Sequence, residues 1–152
     1  MRKLLAAGCV VMLVAVVATG CKAVPPPQVD AQVFFVRPLG QDIEIVAVSR
    51  RVSAEIPLAE ACLRELLKGP TPAERREGLT SLIPEGAALR SVSVSDAGAA
   101  RVDFSGALQE GVGGSMRVMG IRQQIEGTVM WISGITSVIL SVEGQTEGIL
   151  QP

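Results

Sequence analysis

Arg50 and Arg51 are the side chains in this sequence best placed to recognise a charged partner. Adjacent strand residues point to opposite faces, so one of the two guanidinium groups must lie on the covered side of a sheet or at its margin. There it pairs with a carboxylate, with Glu44, Asp103 and Glu55 as candidates, or it meets an acidic ligand. A glycine-rich run, Gly111-Val112-Gly113-Gly114-Ser115, leads into a helix start whose free N–H groups attract anions. It lacks the Lys-Ser/Thr of a phosphate loop, so a flexible helix entry is its plain reading. The chain has no His, which removes Ser-His and Cys-His nucleophile pairs and His-dependent metal sites. Asp103, Glu85 and Glu110 remain for acid–base work, and two carboxylates roughly 5–10 Å apart suit glycoside hydrolysis. Their structural readings are the polar side of a strand, a Pro-Glu-Gly turn and a loop. No catalytic set, cofactor site or metal site follows from these residues, and the expectation is a protein that is not an enzyme.

Cysteine chemistry points to location. Arg2 and Lys3 precede an apolar run from Leu4 to Val17, and Ala18-Thr19-Gly20 places small residues before Cys21. This is the order of a secretory signal peptide, and the 17 residues from Leu4 to Gly20 fall short of the roughly 20 needed to span a bilayer comfortably. The stretch resembles a bacterial lipobox, in which the Cys becomes the lipidated N-terminus; an uncleaved anchor is the alternative. Ala6-Ala7-Gly8-Cys9 is a second such match, but cutting there leaves almost no apolar run to insert. Cys62 falls on an apolar helical face and reads as a buried small residue. The expected divisions are a signal peptide at 1–20, a lipidated Cys with a Pro-rich spacer at 21–31, and one folded domain at 32–150. The expected location is the outer face of the bacterial cell membrane, held through lipid such as palmitate.

From Cys21 onward, 12 basic residues face 15 acidic ones, a formal charge of −3. With one Trp, three Phe and no Tyr, the chain has neither the positive charge nor the stacking surface for nucleic acid.

The elements that must position these residues are legible from periodicity. Gln32–Arg37 and Ile43–Arg50 are β-branched and apolar around a Pro-Leu-Gly-Gln-Asp turn, a hairpin pattern. The preceding Lys22–Asp30, with three consecutive prolines, reads as a stiff spacer that forms no paired strand. Pro57–Lys68 carries apolar residues at 58, 59, 62, 63, 66 and 67, one helical face. Thr71-Pro72-Ala73-Glu74 predicts a short helix with a capping box. Ser91–Asp96 and Ala100–Phe104 alternate as a second hairpin, with Arg101 and Asp103 opposite Val102 and Phe104. Ser115 caps a helix to about Ile132, striped at 118, 121, 125, 129 and 132. Trp131 lies one residue off that stripe, as core margin or as an exposed contact. Ile135–Val142 is the last strand, and Gly148–Leu150 is expected at a sheet edge. The order ββα(α)ββαβ predicts an α+β domain: a single mixed sheet of two hairpins plus a C-terminal strand, with two main helices on one face.

Several segments in order resemble the GerMN domain family. They are Val48-Ser49-Arg50-Arg51-Val52, Leu66-Leu67-Lys68-Gly69-Pro70-Thr71, Gly78 to Gly86 (GLTSLIPEG), Val102-Asp103-Phe104-Ser105 and Val142-Glu143-Gly144-Gln145. The resemblance covers about residues 32 to 146. It implies an exported bacterial α/β domain, often in lipoproteins, linked to sporulation, germination and envelope assembly, and similar in shape to ring-building modules. It supplies no catalytic residues. The expected function is a non-enzymatic scaffold that meets another envelope protein or a copy of itself. The alternative is a module that binds peptidoglycan or a small anion through Arg50, Arg51 and the Gly113-Gly114-Ser115 entry.

Overall fold

A computed structural model of the chain describes residues 26–151, so Cys9, Cys21 and the signal segment lie outside the described residues. The chain begins with two long antiparallel strands, β1 (Gln28–Leu39) and β2 (Asp42–Ser53), paired over their whole length from Gln28↔Ser53 to Leu39↔Asp42. β1 therefore starts inside the stretch expected to be spacer. A proline lacks an N–H but keeps its carbonyl, and Pro27 uses that carbonyl to accept from the Ala54 N–H at 2.9 Å. The ladder thus runs up to the last proline.

Two helices follow, α1 (Leu58–Leu67) and the short α2 (Pro72–Arg76). α2 carries the expected capping box: Thr71 Oγ1 accepts from the Glu74 N–H while Glu74 accepts from the Thr71 N–H. β3 (Leu89–Val94) and β4 (Ala99–Phe104) form the second hairpin. After a 3₁₀ turn at Gly106–Gln109, α3 (Ser115–Met130) crosses over to β5 (Ser137–Val142), which pairs parallel to β4. Ser115 does not cap α3. Gly114, at φ +84°, occupies the cap position, and Ser115 is the first helical residue.

The α+β class holds, but the single sheet does not form. β1–β2 is one sheet and β3–β4–β5 another. The reason lies on the outer edge of β1, where further pairing would have to occur. The Val36 N–H and C=O are bonded to Thr80 at 2.9 and 2.8 Å. At Phe34, the neighbouring outward-facing residue, side chains of α3 take over: its N–H donates to Thr128 Oγ1 at 3.1 Å and its C=O accepts from Gln124 Nε2 at 3.2 Å. A helix laid along a strand edge cannot offer backbone groups, so these two buried side chains substitute for them. The approach is close because α3 is bare there. A β-carbon on Gly127 would come within 3.1 Å of the Phe34 ring, and one on Gly120 would collide with Leu82 and Ile43.

The core is continuous across both sheets. Phe35, Leu63, Leu66, Phe104, Ile121 and Ile125 are fully buried in one cluster, joined by Val118 and Val129 of the predicted stripe. The last member of the stripe, Ile132, lies past the end of α3, half-buried against a second cluster of Ala31, Val52, Ala61 and Cys62. Gly148–Leu150 is not a strand. Ile149 and Leu150 enter the core instead, held by the Leu150 N–H donating to Gln109 Oε1 and by Arg122 donating to the Ile149 carbonyl.

Candidate functional site

Strand alternation separates the two arginines as expected, but with other partners. Arg50 points to the face of β2 that α1 covers, and only 11% of its side chain is exposed. Its two terminal nitrogens each reach a Glu74 oxygen at 2.6 Å, and its Nε lies 3.3 Å from Glu65. The guanidinium also sits 5.6 Å from the Phe35 ring centroid, within cation–π range. Glu74 thus serves the α2 cap and a bidentate ion pair together, the geometry at which Arg exceeds Lys. The hydrogen bond from Arg50 and the Thr71 N–H hold the Glu74 carboxyl below the usual range against the cost of burial. In return, Glu74 and then Glu65 raise Arg50. Arg51 lies on the other face, exposed, 3.5 Å from Asp30. Glu44, a predicted partner, belongs to Arg37.

The carboxylates do not assemble. Burial pushes the Asp103 carboxyl up, but the Ser141 hydroxyl, the Gly144 N–H and Arg90 outweigh it, so it stays below the ordinary range. Glu85 and Glu110 contribute nothing to that group. Among the described residues no three His, Cys, Asp or Glu side chains converge as metal ligands. Cys62 is fully buried, and burial pushes its thiol to about 11, away from nucleophilic use.

Gly113, Gly114 and Ser115 line a groove, but an apolar one: with Ile43, Leu82, Met116 and Arg117 they border a shallow, open depression of about 500 Å³. Met116, Met119 and the hairpin-tip residue Leu39 stand exposed at this end of the molecule, Met119 by 49%. Arg51 is far away. Eight residues of extended strand separate it from Ile43, about 26 Å. Arg50, Arg51 and the glycine-rich entry therefore do not share a pocket, and Arg50 has no free donor face. Trp131 ends α3 at the opposite extremity, 38% exposed.

Sequence reasoning missed both the groove and the Gln124–Thr128 clamp. The signal was present: Gly120, Gln124 and Gly127 mark one helical face with small and polar residues, beside the apolar stripe that drew attention.

No curated protein matches the sequence. The sequence model of the Germane family, described as sporulation and spore germination, matches residues 32–148. Among solved structures, the tandem GerMN domains of the sporulation protein GerM from Bacillus subtilis superpose with a TM-score of 0.64 at 21% identity, over 78% of this chain and 40% of that one. The chain thus spans well under half the length of that relative. The first GerMN domain of the same protein gives 0.55 at 17% identity, over 78% and 85% of the two chains. A putative lipoprotein from Clostridium perfringens gives 0.51 at 18%, over 78% and 76%. At these identities the structures share a fold with this chain.

The ion pair carries a pH signature. Because the folded-state pKa of Glu74 is lowered, its stabilising contribution is complete above the unfolded carboxylate range and is lost as pH falls from there through the lower folded-state value. At pH 7, Glu74→Gln is expected to cost about 2 kcal/mol, the scale of a charged hydrogen bond lost from a half-buried pair. Urea midpoints of the two proteins should stay apart at neutral pH and converge progressively as pH is lowered below the ordinary Glu range.

Proposed function

From the premise that the chain belongs to the Germane family of sporulation and spore germination domains, we propose that it is a non-catalytic interaction module held at the membrane by lipid on Cys21. The observation that carries the interaction reading is the apolar groove at the start of α3. Two of the domain's charged groups that the sequence singles out are answered internally: Arg50 by Glu74 and Glu65, Asp103 by Ser141, Gly144 and Arg90. What it offers outward is apolar surface around Ile43, Leu82, Met116 and Met119. Methionines suit such a surface because their unbranched, polarizable side chains adapt to a partner. The partner is an envelope protein or a second copy of the chain. The role in sporulation, germination or envelope assembly is an extension from the family and from the GerM structures, and the lipoprotein from Clostridium perfringens is consistent with the anchor.

The anchor rests on the signal-peptide pattern and on chemistry. A single acyl chain holds only marginally, each buried CH₂ contributing about 0.8 kcal/mol, whereas a multiply acylated cysteine stays on the bilayer. Cells fed labelled palmitate should label the wild type and the Cys9→Ser variant but not Cys21→Ser. Label retained on Cys21→Ser would remove this anchor.

Self-association is read by sedimentation of the soluble chain from Val24 over a range of concentrations. The expected outcome is reversible assembly, weakened about tenfold or more by Met119→Asp, a loss of roughly 1.4 kcal/mol. A strict monomer would discard self-assembly and direct the groove to a different protein.

A further inference from the structure

The ends of the domain differ in what they carry, and the chain enters at one of them. α3 runs antiparallel to β1. Gly120 packs beside Ile43, the cross-strand partner of Pro38 near the hairpin tip, and Thr128 bonds to Phe34. Ile132 reaches the cluster of Ala31 and Val52. The last turn of α3 therefore lies at the open end of the hairpin, where Gln28 begins the fold. Exposed there are Val29 by 39%, Met130 by 49% and Trp131 by 38%. The apolar groove lies at the other end of α3, a helix of 16 residues and so about 24 Å away.

We propose that this open end is a bilayer-seating surface, in which Trp131, Met130 and Val29 settle into the interfacial layer of the membrane that holds the chain. The inference rests on the anchoring reading above. Its argument is the reach of the chain between anchor and fold. Cys21 to Pro27 is seven residues, which extend no further than about 25 Å. Gln28, at the Trp131 end, is thus kept within that distance of the lipid, and the groove lies a helix length further on. Tethers of this length impose effective concentrations in about the millimolar range, so a contact of millimolar affinity is populated. Trp is suited to the position because its ring is apolar and its N–H finds partners among headgroups. Asp30, whose side chain is 88% exposed, and Glu55 stand at the same end, with Arg51 beside Asp30 alone. The seat consequently favours zwitterionic over anionic lipid, and salt narrows the difference.

Trp131 is the only tryptophan, so its emission reports this end alone. The full lipidated chain, extracted from membranes, would be reconstituted into phosphatidylcholine vesicles with and without brominated acyl chains. The expected result is co-flotation with the vesicles, emission shifted to the blue of the unlipidated Cys21→Ser chain in buffer, and about twofold quenching by brominated lipid, as for a ring at interfacial depth. Met130→Asp, a substitution at an exposed position, should leave flotation intact and remove most of the quenching. Flotation without blue shift or quenching overturns the seat and leaves the anchor standing. Quenching unchanged in Met130→Asp overturns it as well, as does a blue shift that grows with protein concentration in the absence of vesicles, which would mark a protein contact. Failure to float would overturn the anchor itself, and the seat with it.

Discussion

The outer edge of β1 is closed by side chains rather than by a strand, and the rest of the architecture depends on that substitution. Gln124 donates to the Phe34 carbonyl and to Ser81 Oγ while its own oxygen accepts from the Leu82 N–H at 2.8 Å; Thr128 accepts from the Phe34 N–H. Gln124 and Thr128 are the two buried polar side chains among the described core residues, and both are satisfied. In a water-poor interior an orphaned backbone group costs about 1–3 kcal/mol, so this clamp fixes where α3 can lie. With α3 on the edge, the second sheet cannot continue the first. The helix instead bridges the two and sets its N-terminus by the hairpin tip and its C-terminus by the hairpin base.

A second tie fixes the other side of the hairpin. Arg50 joins β2 to α1 through Glu65 and to α2 through Glu74, with the Phe35 ring against its plane. A guanidinium so engaged is a structural strut. Even a half-buried pair is costly to desolvate, and its merit is geometry: a bidentate fork to Glu74 fixes α2 against the strand while Nε reaches Glu65 on α1. The polar chemistry of Arg50 and Gln124 is thus spent on shape, and the groove at the start of α3 is apolar. This is why the molecule reads as a module that is bound and positioned. One end carries the groove of Ile43, Leu82 and Met116, and the other carries Trp131 at the base of the hairpin, where β1 begins.

Local structure was legible where a single element decides it. The α1 face, the α2 capping box, the alternation of β4 and the α3 stripe all follow from spacing, and the family is readable from turn and packing segments that recur in order. What the sequence hid was pairing between distant segments. Nothing local says that Phe34 meets residues some ninety positions away, or that Thr80 bonds to Val36. The single-sheet expectation failed at that point. Alternation required one of Arg50 and Arg51 on the covered face without saying which, and the expected carboxylates were the wrong ones, because Glu74 and Glu65 arrive from helices whose packing is tertiary. The spacer was read too long for a simpler reason: proline's missing N–H suggested that pairing stops, whereas its carbonyl still accepts.

The most direct measurement of the central claim is amide hydrogen exchange at Phe34 and Leu82. If side chains of α3 close the β1 edge and hold the following loop, both amides exchange only through global unfolding, as slowly as the fully paired residues of β4. Exchange of either amide at the rate of an exposed loop would contradict the clamp, and with it the placement of α3 that separates the two ends.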